Sequence, residues 1–123
     1  MKILTADDSR LVRNSFKRYL NELGYNDVTV LEAADGLQAL SLFNNNPDVL
    51  ILDLIMPDPD GTEVLKILKQ KEHSCYIAVL SSNFQQPVKD RVIELGADLF
   101  IEKPLSKAKV DMIINEYKKA KNI

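Results

Sequence analysis

The stretch Val49-Leu50-Ile51-Leu52-Asp53 decides the fold of this chain: four apolar residues run without a break and end on a carboxylate. A strand with one wet face alternates apolar and polar residues. An unbroken run therefore marks a strand covered on both faces, as the strands of parallel sheets are. Punctuation on either side bounds it. Asn44-Asn45-Asn46-Pro47 stops whatever precedes it, and a loop rich in Pro, Asp and Gly runs from Met56 to Gly61.

Outward from this strand the same unit repeats. Ile3-Leu4-Thr5-Ala6 reads as a first strand, and residues 9–23 as a helix with Leu11, Val12, Phe16, Tyr19, Leu20 and Leu23 on one face, closed by Gly24. Val28 to Glu32 reads as a second strand. Asp35-Gly36 turns the chain into a helix striped by Leu37, Leu40 and Phe43. Beyond the central strand lie a helix carrying Val64, Leu65 and Leu68, a strand from Tyr76 to Leu80 that ends at Ser81, and a helix marked by Val88, Val92, Ile93 and Leu95 and closed by Gly96. A fifth strand, Leu99-Phe100-Ile101, and a last helix with Val110, Ile113, Ile114 and Tyr117, capped by Ser106, complete the chain. Five strand–helix repeats predict an α/β fold, a parallel sheet with helices on both faces. No linker, sequence repeat or low-complexity tract interrupts residues 1–123, which read as a single domain.

Composition narrows the function. At 123 residues, 46% hydrophobic and 28% charged, the chain suits one globular domain that buries roughly two-thirds of its unfolded surface. A net charge of -2 argues against nucleic-acid binding, which calls for a basic surplus or stripe. The cluster Lys118, Lys119, Lys121 reads as cations at a helix C-terminus. A lone Cys75 allows no internal disulfide and fits a reducing compartment. The N-terminus turns acidic too soon for a signal peptide, and no apolar run approaches the ~18 residues of a membrane span. These features predict a cytoplasmic protein with no membrane association.

The polar residues that matter are those at the strand ends: Asp7-Asp8, Asp53, Ser81-Ser82 and Glu102-Lys103-Pro104. In open α/β sheets ligands bind outside the carboxyl ends of the strands, so these groups converge on one edge. Two carboxylates about 4 Å apart repel by roughly 4 kcal/mol at an effective dielectric near 20. Three call for a compensating proton or cation. With oxygen donors and no Cys/His cluster, a hard ion such as Mg2+ fits and zinc does not. Lys103 and the Ser81 hydroxyl add a cation and a hydroxyl donor for phosphoryl oxygens. A metal, an ammonium and a hydroxyl around one carboxylate suit phosphoryl transfer to that carboxylate.

Taken together, Asp7-Asp8, Asp53-Leu54-Ile55-Met56-Pro57, Gly61, Ser81 and Lys103-Pro104 make the sequence resemble, over essentially its whole length, the receiver domain of two-component response regulators. The resemblance implies a flavodoxin-like doubly wound fold of order 2-1-3-4-5. It implies that Asp53 accepts a phosphoryl group from a sensor histidine kinase or phosphotransfer protein. It further implies Mg2+ bound by Asp8, Asp53 and the backbone carbonyl of Ile55, with Asp7 acting through water, and Lys103 on the phosphoryl group before a cis bond to Pro104. Ser81 and Phe100 would form the switch, reading out to a downstream protein through the fourth helix, fifth strand and fifth helix. Such a module catalyses only its own phosphorylation and dephosphorylation. A stand-alone regulator is the simplest form.

Some residues depart from the family pattern: Pro59 stiffens the acceptor loop, Phe100 lacks a hydroxyl, and Ser82 replaces a smaller residue. An apolar Ile55 does not position an attacking water, which points to a longer-lived phosphoryl state. Competing readings are an interaction module on this fold that works without phosphorylation, a dehalogenase-like phosphatase, which needs an acid where Ile55 stands, and a flavin protein, whose phosphate two acids after the first strand would repel. The bland alternatives are helix capping for Asp7-Asp8, a turn or cap for Ser81, plain core for Phe100 and solvated surface for His73. No Gly-rich nucleotide motif occurs.

Overall fold

A computed structural model of the protein describes all residues, Met1–Ile123. Along the chain run β1 (Lys2–Ala6), α1 (Arg10–Glu22), β2 (Thr29–Ala33), α2 (Gly36–Leu42), a 3-10 turn (Phe43–Asn45), β3 (Val49–Asp53), α3 (Gly61–Lys69), β4 (Tyr76–Ser81), α4 (Gln86–Glu94), β5 (Leu99–Glu102) and α5 (Lys107–Lys121). The five strands form one parallel sheet of order β2-β1-β3-β4-β5. The expected α/β, doubly wound architecture is the one observed.

β3 shows why its sequence is apolar throughout, since all five of its residues are buried. Leu50 and Leu52 face one core with Leu4, Ile77 and Val79, against Val64, Leu65 and Leu68 of α3 and Val92 of α4. Val49 and Ile51 face a second core with Ile3, Ala78 and Ile101, against Phe16 and Leu20 of α1 and Val110, Ile113 and Ile114 of α5. Alternate side chains thus feed opposite layers. Fully burying each large apolar side chain contributes about 1.5–3 kcal/mol, and the sheet is the wall shared by both layers.

Local signals set the helix ends. Ser9, Asp35, Asp60 and Ser106 each accept a backbone N–H of the first turn of α1, α2, α3 and α5. Gly24 (φ +85°) and Gly96 (φ +105°) take the left-handed conformation that ends α1 and α4. Three residues expected on apolar stripes lie elsewhere. Leu11, Leu37 and Ile93 are exposed by 75, 67 and 50%. At 100° per residue Leu11 lies roughly 140° around α1 from Phe16, and Ala39, not Leu37, fills the α2 interface. Cys75 is buried. At the edge of the sheet where the strands begin, Lys121 Nζ donates to the Ser74 carbonyl (2.6 Å), tying the end of α5 to the entry of β4.

Candidate functional site

The site is built at the opposite edge, from residues that each occupy the end of a strand. Asp7 follows β1, and its N–H donates to Ala33 O (3.0 Å), extending the sheet pairing by one residue. Asp53 is the last residue of β3 and Ser81 the last of β4. Lys103 follows β5, and its N–H donates to Ser81 O (3.0 Å). The parallel register that pairs Ala6 with Leu52 and Asp53 with Leu80 brings these ends level.

Carboxylate oxygens of Asp7, Asp8 and Asp53 lie within 4.8 Å of one another. Asp7 and Asp53 are buried, whereas Asp8 is exposed. Lys103 Nζ donates to Asp53 Oδ2 at 3.1 Å and sits 3.4 Å from Asp7 Oδ2. That second approach is a charge contact without hydrogen-bond geometry, so Asp7 Oδ2 is a buried oxygen with no hydrogen-bond partner. Asp53 Oδ1 accepts from the Ile55 N–H (3.2 Å) and Asp7 Oδ1 from the Ser9 N–H (2.9 Å). Ser9, and not either aspartate, caps α1. Capping therefore does not account for Asp7-Asp8.

Both members of the Lys103–Asp53 pair are shifted upward. Burial opposes the Lys103 ammonium, but the hydrogen bond and charge of Asp53, then the charge of Asp7, outweigh it and raise the pKa. A simple ion pair would lower Asp53. Instead, burial first and the neighbouring Asp7 second raise its pKa above the ordinary carboxyl value, against the pull of Lys103 and the Ile55 N–H. One ammonium thus serves the two buried carboxylates, Asp7 and Asp53, while exposed Asp8 adds a third charge to the cluster without contacting that ammonium. A buried unpartnered oxygen and an all-oxygen donor set with surplus negative charge suit a hard divalent cation. No His or Cys joins the cluster. The residues present fit Mg2+.

The surrounding loops hold this edge close. Gly61 N donates to Leu54 O (2.9 Å), and a Cβ at Gly61 would overlap the Asp53 carbonyl, so only glycine lets α3 start against the end of β3. A Cβ at Gly36 would overlap the Pro59 carbonyl, so the loop between β3 and α3 abuts the start of α2. The Lys103–Pro104 peptide is cis, as is Asp58–Pro59, which nothing in the sequence had suggested. Lys109 Nζ donates to the carbonyls of Glu102 (2.7 Å) and Pro104 (3.0 Å), tying down the turn that carries Lys103.

Ser81 is buried, and its Oγ accepts the Asn83 N–H (3.1 Å). Ser82 and Ile55 are exposed. Phe100 is half-buried against the core shared with α3 and α4, with Lys89 Nζ 5.7 Å from its ring centre. His73 is exposed and lies edge-on to Phe43, at the far end of the sheet. Sequence reasoning passed over Arg13 and Glu32. They meet at 3.1 Å beside Asp7, and only the pairing of β1 with β2 brings them together.

The family model described as Response regulator receiver domain matches residues 3–115. Response regulator RR06 of Streptococcus pneumoniae is 38% identical over 107 residues, which are 86% of this chain and 48% of that protein. The chain spans about half the length of the curated relatives it matches. The receiver domain of the Francisella response regulator 1452 superposes with a TM-score of 0.80 at 30% identity, covering 97% of this chain and 98% of that one. A CheX–CheY–BeF3–Mg2+ complex from Borrelia burgdorferi matches with a TM-score of 0.84 at 27% identity over 94% of this chain and 87% of that one. No helix is long and apolar enough to cross a membrane.

Proposed function

Because the chain belongs to the response regulator receiver domain family, we propose that residues 1–123 act as one phosphorylation switch of a two-component pathway in the cytoplasm, with Asp53 as phosphoryl acceptor. The observation that carries this reading is the convergence of the Asp7, Asp8 and Asp53 carboxylates, with one ammonium shared by Asp7 and Asp53 and with Asp7 Oδ2 buried and accepting no hydrogen bond.

In the transfer, an Asp53 carboxylate oxygen attacks the phosphorus of a phosphohistidine on a sensor kinase or phosphotransfer protein. The new P–O bond forms as the P–N bond breaks, and the imidazole leaves with the electron pair and takes a proton from water. The Asp8 and Asp53 carboxylates and the Ile55 carbonyl would hold Mg2+, with Asp7 acting through water, and the ion would supply charge neutralisation for the phosphoryl oxygens. Lys103, already 3.1 Å from Asp53, follows the new oxygens with its ammonium, and the Ser81 hydroxyl donates to another. Ser81 Oγ also accepts the Asn83 N–H, so its movement toward the phosphoryl group carries the loop before α4 with it. Phe100 then moves inward from its half-buried position, and the face formed by α4, β5 and α5 changes its affinity for a downstream protein. Exposed Ile55 offers no group to orient a hydrolytic water, so the acyl phosphate is long-lived. The module turns over no substrate other than its own phosphoryl group, and a net charge of -2 gives it no direct grip on nucleic acid.

The test is labelling with acetyl phosphate, read by intact mass, beside Asp53→Asn. One phosphoryl adduct that needs Mg2+ and is absent from the variant is the expected result. No adduct on folded, Mg2+-bound wild-type protein would move the reading to an interaction module that works without phosphorylation.

A further inference from the structure

Asp7 is held at every polar atom except one. Its N–H is spent on Ala33 O, its Oδ1 on the Ser9 N–H, and its carbonyl accepts from Arg13 Nη1. Only Oδ2 is left over, and it faces the cluster. Arg13 is an unexpected member of this set. It lies on the flank of α1 with its side chain 11% exposed, beside a site crowded with carboxylates, yet its guanidinium binds none of them. It grips the backbone of Asp7 instead. Its Nε donates to Glu32 Oε1 at 3.1 Å, and Lys17 Nζ holds the other oxygen, Oε2, at 2.9 Å. Lys17 first, and Arg13 beside it, keep the Glu32 carboxyl below its ordinary range. The guanidinium is a planar fork with several fixed donors, so it can fill two acceptors at a set angle where a lysine cannot.

We propose that Arg13, aimed by Glu32, is a positioning residue for the cation site: it clamps the Asp7 carbonyl so that Asp7 Oδ2 stays turned toward the metal. The proposal rests on the reading of this cluster as an Mg2+ site. Its mechanism is that of outer-shell partners that orient ligands without touching the ion. The sign of the effect separates positioning from charge. A guanidinium beside a cation site repels the incoming ion, so by Coulomb's law alone its removal tightens Mg2+ binding. If Arg13 acts by holding Asp7, its removal weakens binding.

The experiment is calorimetric titration of Mg2+ into the metal-free chain, for wild type, Arg13→Met, Glu32→Ala and Glu32→Gln, each checked for folding by circular dichroism. The two Glu32 variants lose the same charge and differ in whether an oxygen remains to receive Arg13 Nε. We expect about a tenfold loss of affinity in Arg13→Met, in the range found for outer-shell groups. Glu32→Ala should follow it, and Glu32→Gln should stay close to wild type. If Arg13→Met does not fold, Arg13→Lys, which keeps the charge and a single donor nitrogen but not the planar fork, should still show a loss. Wild-type affinity or better in a folded Arg13 variant overturns the proposal and leaves the metal reading standing. Equal losses in the two Glu32 variants overturn the aiming role of Glu32. A wild type that binds no Mg2+ refutes the metal reading itself, and the proposal with it.

Discussion

Neutralising Asp53 should make the metal-free protein more stable. Unit charges 4.8 Å apart at an effective dielectric near 20 repel by about 3.5 kcal/mol, so Asp7 costs charged Asp53 at least that much, and exposed Asp8 adds a screened share. Lys103 at 3.1 Å returns about 5 kcal/mol on the same scale. These opposing contributions nearly cancel, which leaves the burial of Asp53 uncompensated, in keeping with its raised pKa. The sign follows directly. A carboxyl raised in the folded state contributes stability that is fully present below its ordinary value of 3.8 and is lost as pH rises through the folded value. Asp53→Asn imitates the protonated form. At neutral pH in EDTA it should therefore exceed wild type by about 1–2 kcal/mol, a urea midpoint higher by about 0.5–1 M, and the difference should vanish in acid below the ordinary carboxyl range. Excess Mg2+ should reverse the order, since wild type keeps the ligand that the variant has lost. An Asn variant no more stable than wild type in EDTA at neutral pH would refute this account of the site.

Other perturbations probe the same edge and the core beneath it. Lys103→Met leaves the Asp7 and Asp53 charges without their ammonium, so the metal-free protein should lose about 1–3 kcal/mol in urea unfolding and label poorly with acetyl phosphate. The same variant should bind Mg2+ at least as tightly as wild type, because a competing cation has gone. Gly61→Ala would press a methyl onto the Asp53 carbonyl and to 2.5 Å from Leu54 Cα. It should cost about 1–3 kcal/mol and weaken Mg2+ binding, both readable by thermal unfolding with and without the metal. Burial, then Asp98 and Asp48, push the Cys75 thiol from 9.0 up to about 12. Iodoacetamide at mildly alkaline pH should therefore leave Cys75 unmodified in native protein and alkylate it in urea, as scored by mass.

How far the sequence could be read depended on how local each cause was. The β3 run, the positive-φ glycines at 24 and 96 and the Ser106 cap follow from neighbouring residues alone, and each is found as expected. The strand-end polar residues could be gathered onto one edge because parallel topology leaves them no other place. Leu11 and Leu37 were misplaced because apolar character was taken for burial. The stripes of short helices are filled by Phe16 and Leu20 in α1, and by Ala39 with the close-packed Gly36 in α2. The unpartnered state of Asp7 Oδ2 and the Arg13–Glu32 contact were out of reach, since both depend on distances between side chains far apart in sequence.

The bond from Lys121 to the Ser74 carbonyl fixes where attachments to this protein can go. It pins the last turn of α5 to the edge from which the strands set out, and Met1 enters β1 at that same edge. Five residues of strand, about 17 Å, separate both points from Asp53. A fluorophore, surface tether or fused protein joined at either point therefore leaves the acidic edge open to solution, so the module can be immobilised or made into a reporter without masking it.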